Sequence, residues 1–113
     1  MRAASEARLA QARAEVLATQ QALRAELDLL HANVQALAAQ LQDFNSHALP
    51  ESLEAYTAIS RGYRYGKFGL LDVLDARRSL IDVRFEYFDT LIDYQRQRQQ
   101  LHALTALPEE NSL

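Results

Sequence analysis

From Leu9 to Phe44 an apolar side chain returns every seventh residue: Leu9, Val16, Leu23, Leu30, Leu37 and Phe44. Leu27, Val34 and Leu41 add a second row, each four residues after a member of the first. Rows spaced three and four apart lie along one side of an α-helix and form a seam of the coiled-coil type. The pattern excludes strands, whose faces alternate with period two. It commits residues 1–44 to a single helix of roughly 66 Å at about 1.5 Å per residue.

"FNSHALPES" (44–52) interrupts the seam. Pro50 has no backbone N–H and its ring crowds the preceding turn, while Asn45 and Ser46 weaken helix. A kink at about 45–51 is expected; a true turn, giving three helices, is the alternative. The spacing then resumes through Leu49, Leu53, Tyr56, Ile59 and Tyr63.

A second long seam follows. Val73, Leu80, Tyr87, Tyr94 and Leu101 repeat every seven residues, Ala76, Val83 and Leu104 share the adjoining row, and Leu74, Ile81 and Phe88 flank it. These spacings predict a helix over 70–106, with Pro108 as the stop signal and 107–113 as a disordered tail. Between the helices, Gly62, Gly66 and Gly69 are all the glycines the chain has. Gly66 suits the left-handed end of one helix. Gly69 suits the N-cap of the next, with Asp72 in its first turn.

A connection this short makes an antiparallel hairpin. The expected fold is therefore all-α: a long antiparallel coiled-coil helical hairpin with a descending helix over 1–64, a tip at 65–69 and an ascending helix over 70–106. Paired residue numbers should sum to about 135, so that about 28 residues at the N-terminus overhang. Their seam has no partner within the chain. A buried aliphatic side chain contributes roughly 1.5–3 kcal/mol, so another copy or further sequence is expected to cover it. Phe68, exposed at the tip beside Lys67, points to a partner; the alternative is that its ring folds back onto Tyr63 or Leu71.

The ascending helix also carries an acidic row: Asp72, Asp75, Ser79, Asp82, Glu86, Asp89 and Asp93. Like charges one turn apart cost about 0.2–0.5 kcal/mol per pair. Arg78 and Arg96 offset part of this, but Ala25 to Ser60 contains no lysine or arginine. The row must face water, another chain or cations. It reads either as a solvated face or as the wall of a water-filled cation path.

Composition narrows the function. A net charge of −3 and a pI near 5.5 argue against a nucleic-acid binder. With no cysteine there is no disulfide and no thiolate metal site. No apolar run is long enough to span a bilayer as a helix. Met1 to Glu6 lack the apolar core of a signal peptide, which leaves a cytosolic chain or a piece of an exported one. The pairing sum could bring His31 and His102 together, as a weak metal candidate. Nothing resembles a nucleophile–base pair, and Asp72 and Asp75 lack the pocket of an acid–base dyad. Neither catalysis nor a cofactor is expected.

"GYRYGKFGLLDVLDARRSL" (62–80), followed by a tyrosine-rich helix and "QLHALTAL", resembles the outer-membrane efflux channels of the TolC family, and within it the heavy-metal branch of CzcC-like and CusC-like proteins. Gly62, Tyr63, Gly66, Asp72, Val73, Leu74, Asp75 and Ala76 match the family's glycine turn and helix start. The resemblance implies the periplasmic helical hairpin of the second repeat, in a homotrimer whose hairpins build a tunnel below a β-barrel. It implies a tip (Gly66, Lys67, Phe68, Gly69) that docks a periplasmic adaptor joined to an inner-membrane pump. It implies Tyr63, Asp72 and Asp75 at the pore entrance, Asp82, Glu86, Asp89 and Asp93 along the lumen, and heavy-metal cations as cargo. The protein would then be the periplasmic portion of a Gram-negative outer-membrane channel. Phe68 stands where some relatives carry a gate arginine, Gly69 where threonine often caps the helix, and Ala106 where glycine is usual. The rival reading is a cytosolic antiparallel coiled-coil scaffold, which leaves the glycine–aspartate motif unexplained.

Overall fold

A computed structural model describes residues 2–110. Three α-helices and one widened turn account for almost all of them. Helix α1 spans Arg2–Asp43, a π-helical turn spans Phe44–Ala48, α2 spans Leu49–Arg64 and α3 spans Leu70–Glu110. Among the described residues there is no strand. The molecule measures 93 × 30 × 16 Å. Residues 2–64 laid end to end as helix come to about 94 Å at 1.5 Å per residue, so the first arm sets the length of the whole molecule.

The interruption predicted around Pro50 is the π-helical turn. Pro50 lies in the first turn of α2. In a regular α-helix its ring would press on the carbonyl of Ser46. The Leu49 N–H instead reaches back to the Phe44 oxygen, five residues away, and the wider turn relieves that contact. The chain does not reverse here: Asp43, Ala48 and Leu49 all keep helical φ and ψ through the π-helical turn, and the long axis of 93 Å matches one continuous arm. The three-helix alternative is thereby set aside. At the other end α3 runs to Glu110, four residues past the expected stop. Proline lacks a donor but holds a helical φ, so a terminal turn can continue through Pro108. The rest of the expected tail, 111–113, lies outside the described residues.

The seam between the arms follows the heptads. Leu27, Leu30, Val34, Leu37, Leu41 and Phe44 are half-buried against Val83, Tyr87, Tyr94, Leu101 and Leu104 of α3 and their neighbours. The Phe44 and Tyr87 rings meet edge-on with centroids 6.0 Å apart. Leu80, 5% exposed, is the one buried hydrophobic side chain among the described residues. Two helices offer only one line of contact, which is why the other seam residues stay half open. Every described residue before Leu27 is exposed, including Leu9, Val16 and Leu23. The overhang is therefore real, and its seam is uncovered within the chain.

Candidate functional site

The reversal occurs over Tyr65–Gly69. Gly66 has φ +80° and is the only described residue with positive φ. Its N–H donates to the Tyr63 carbonyl (3.1 Å) and the Lys67 N–H donates to the Gly62 carbonyl (2.8 Å). Together these form a Schellman motif, which satisfies the last carbonyls of α2. Helix α3 is capped from its own first turn: the Gly69 N–H donates to Asp72 Oδ2 at 2.9 Å, the reciprocal half of a capping box. Asp72 therefore holds the tip together as well as adding charge to the acidic row.

Phe68 is 43% exposed, and its ring lies over Gly62, the buried residue of α2. A Cβ on Gly62 would sit 2.4 Å from Phe68 Cδ2. Only a glycine leaves room for the ring. Of the two positions foreseen for Phe68, the ring does fold back, but onto Gly62.

The acidic row lies on one flank of the hairpin. Asp72, Asp75, Asp82, Glu86 and Asp89 are exposed, whereas Asp93 is half-buried and accepts a hydrogen bond from Gln97 Nε2 at 3.2 Å. Among the described residues the only contact between a basic and an acidic side chain within 4.0 Å is His47 Nδ1–Asp43 Oδ1, at 3.2 Å. Among the described residues no basic group forms an ion pair with a carboxylate of the row. Glu51 of α2 joins Asp72 and Asp75 along a groove of about 510 Å³ near the tip, a neighbour not singled out from the sequence. His31 and His102 line one open groove of about 680 Å³ together with Tyr94 and Arg98, and Arg98 Cζ stands 6.0 Å from the Tyr94 ring centroid. Among the described residues no group of three or more histidines or carboxylates could hold a metal ion.

Two further rows complete the surface of α3, and three members of the first, Leu74, Ile81 and Phe88, read in the sequence only as flanks of the seam. Leu71, Leu74, Ile81, Phe85, Phe88 and Ile92 are all exposed. At about 100° per residue this row lies roughly 150° round the helix from the seam. Arg77, Arg84 and Arg98, also exposed, lie on the flank opposite the acids. The signal was present in the sequence. Leu74, Ile81 and Phe88 share the seven-residue period of the seam, and one partner helix cannot cover two apolar rows so far apart. Helix α3 is thus apolar on two sides, acidic on a third and basic on the fourth.

A profile of the family described as outer membrane efflux protein matches residues 1–107. A curated relative, the cobalt-zinc-cadmium resistance protein CzcC of Cupriavidus metallidurans, is 34% identical over 77 residues. That alignment covers 68% of this chain and 18% of the relative, so the chain spans less than a fifth of the protein it matches. No solved structure matches.

Proposed function

The chain belongs to the outer membrane efflux protein family, and on that premise we propose that it is a wall segment and docking tip of a periplasmic efflux tunnel. The observation that carries this reading is the pair of apolar rows on α3. A helix in a two-stranded scaffold needs one apolar row. A helix in a closed wall has a neighbour on each side and needs two, with its remaining flanks facing the lumen and the outside. Leaving Leu74, Ile81, Phe85, Phe88 and Ile92 in water forfeits several kcal/mol at roughly 1.5–3 kcal/mol each. Neighbouring hairpins of a trimer recover that energy.

In this arrangement the acidic flank faces the lumen. Tyr63, Asp72, Asp75 and Glu51 stand near the entrance, and Asp82, Glu86, Asp89 and Asp93 continue inward. Unpaired carboxylates along a narrow wet path raise the local cation concentration, because the low-dielectric walls focus their field. The cargo is a heavy-metal cation, supported by this charge and by the metal-resistance name of the relative. Among the described residues no helix is long and apolar enough to cross a membrane. By its family the segment stands in the periplasm of a Gram-negative cell. It is carried by the rest of an outer-membrane protein and meets a periplasmic adaptor and an inner-membrane pump at its tip. Its role is passive conduction and docking.

The test is ion selectivity in the full-length channel. With Asp75→Asn, Asp82→Asn, Glu86→Gln and Asp89→Asn combined, and Asp72 kept because it caps α3, the cation-over-anion permeability ratio should fall severalfold. Reversal potentials across a salt gradient in planar bilayers measure it. An unchanged ratio takes the acidic row out of the lumen.

A further inference from the structure

We infer that Tyr65 and Leu71, rather than Phe68, are the apolar anchors by which this tip grips its partner, and that the partner offers an apolar pocket rimmed with carboxylates. The inference rests on the docking role proposed above and specifies its chemistry.

Tyr65 is 82% exposed and Leu71 76%, the two most exposed large apolar side chains among the described residues. They bracket the turn, one just before Gly66 and the other just inside α3. Phe68, between them in sequence, is already committed to the ring seat on Gly62. A partner that used Phe68 would find part of its ring already covered, 43% of the residue being exposed against 82% of Tyr65 and 76% of Leu71. One that used Tyr65 and Leu71 meets side chains that have little to lose. The backbone beneath them is fixed by the Schellman bonds and the Asp72 cap, so few degrees of freedom are frozen on binding. Tyrosine combines a large apolar body with a polar end and is enriched at binding hot spots.

Charge selects the partner. From Ala55 to Leu71 the chain has three basic residues, Arg61, Arg64 and Lys67, and no carboxylate. Arg61 and Arg64, three apart, share one side of the last turn of α2, and Tyr65 follows as the residue that ends it. The first acid, Asp72, is turned back onto Gly69. Two copies that met turn to turn would set Arg61, Arg64 and Lys67 against their own kind, so an acidic partner fits this end of the tip better than a second copy. An acidic rim around an apolar pocket complements the patch and sets its orientation.

The test uses the full-length channel with its adaptor. A photoreactive benzoyl-phenylalanine is placed singly at positions 65, 68, 71 and 92, the last being far up α3. The expected result is channel–adaptor adducts from 65 and 71, with 68 no stronger than 92. Strong adducts from 68 and none from 65 or 71 overturn the inference while tip docking stands. Adducts joining two channel chains through 65 or 71 overturn it in favour of self-contact. No adduct from 65, 68 or 71 brings down the docking role itself. Arg64→Glu combined with Lys67→Glu should weaken adaptor binding by roughly tenfold in a channel that still forms trimers; unaltered affinity removes the acidic rim.

Discussion

Replacing Leu80 with alanine should lower the unfolding free energy of this chain by about 2–3 kcal/mol, near the lower end of what buried leucine-to-alanine changes cost. Leu80 is the residue that the hairpin truly buries, at 5% exposed. It sits between α2 and α3, lining one groove with Leu49 and Leu53 of the facing arm. Its removal takes away apolar burial and leaves a void that a single line of packed side chains cannot close. The void borders solvent, however, so the penalty stays below that of a deep globular core. Phe88→Ala supplies the contrast. Phe88 is larger but 55% exposed, and in the isolated chain its loss should cost under about 1 kcal/mol. Urea unfolding followed by helical circular dichroism measures both. Equal losses would mean that α3 is not held along the Val73–Leu101 row.

Gly66→Val should have an effect of similar size by a different route. A Cβ at Gly66 meets nothing within 4 Å, so no side chain has to move. The cost comes from the backbone: at φ +80° an L-residue crowds its own carbonyl, by roughly 1–2 kcal/mol, and a branched Cβ adds to that. The chain can avoid the strain only by giving up the two bonds that end α2. The expected loss is about 2–3 kcal/mol, with Gly66→Asn distinctly milder, because asparagine visits the left-handed region. A D-alanine at 66, introduced by ligation, should be tolerated. If Val and D-Ala prove equally harmful, the left-handed turn is not what the position requires.

These two sites show what could be read directly. Heptads state which residues face a partner helix, and Leu80 lies in the middle of such a row. Three glycines in eight residues stated that the chain turns, and the bonding pattern that places Gly66 at φ > 0 follows from helix-end chemistry. The acidic row was equally legible, since spacing alone fixes a helix face. What could not be read depends on three-dimensional neighbours. Gly62 looks like a second flexible glycine, yet its role is to leave room for the Phe68 ring six residues on. Asp72 looks like any other member of its row, yet it caps α3. Glu51 belongs to the other arm and reaches the acidic groove only through the register of the hairpin. Phe68 looks like a free tip residue, and sequence alone does not show that part of its ring is seated on Gly62. The second apolar row was in view, but its meaning emerges only once the arm that might have covered it is seen to lie elsewhere.

The central claim is that the acidic flank of α3 borders the water-filled path. Cysteine accessibility in the conducting channel tests it most directly, since this segment has no native cysteine. Asp82→Cys, Glu86→Cys and Asp89→Cys are compared with Arg84→Cys on the opposite flank and Phe85→Cys in the second apolar row, each in an otherwise cysteine-free channel. A cationic thiosulfonate added during recording should step the current down at 82, 86 and 89 and leave it unchanged at 84 and 85. A current that responds at 84 and not at the three acidic positions would turn the wall inside out and contradict the account.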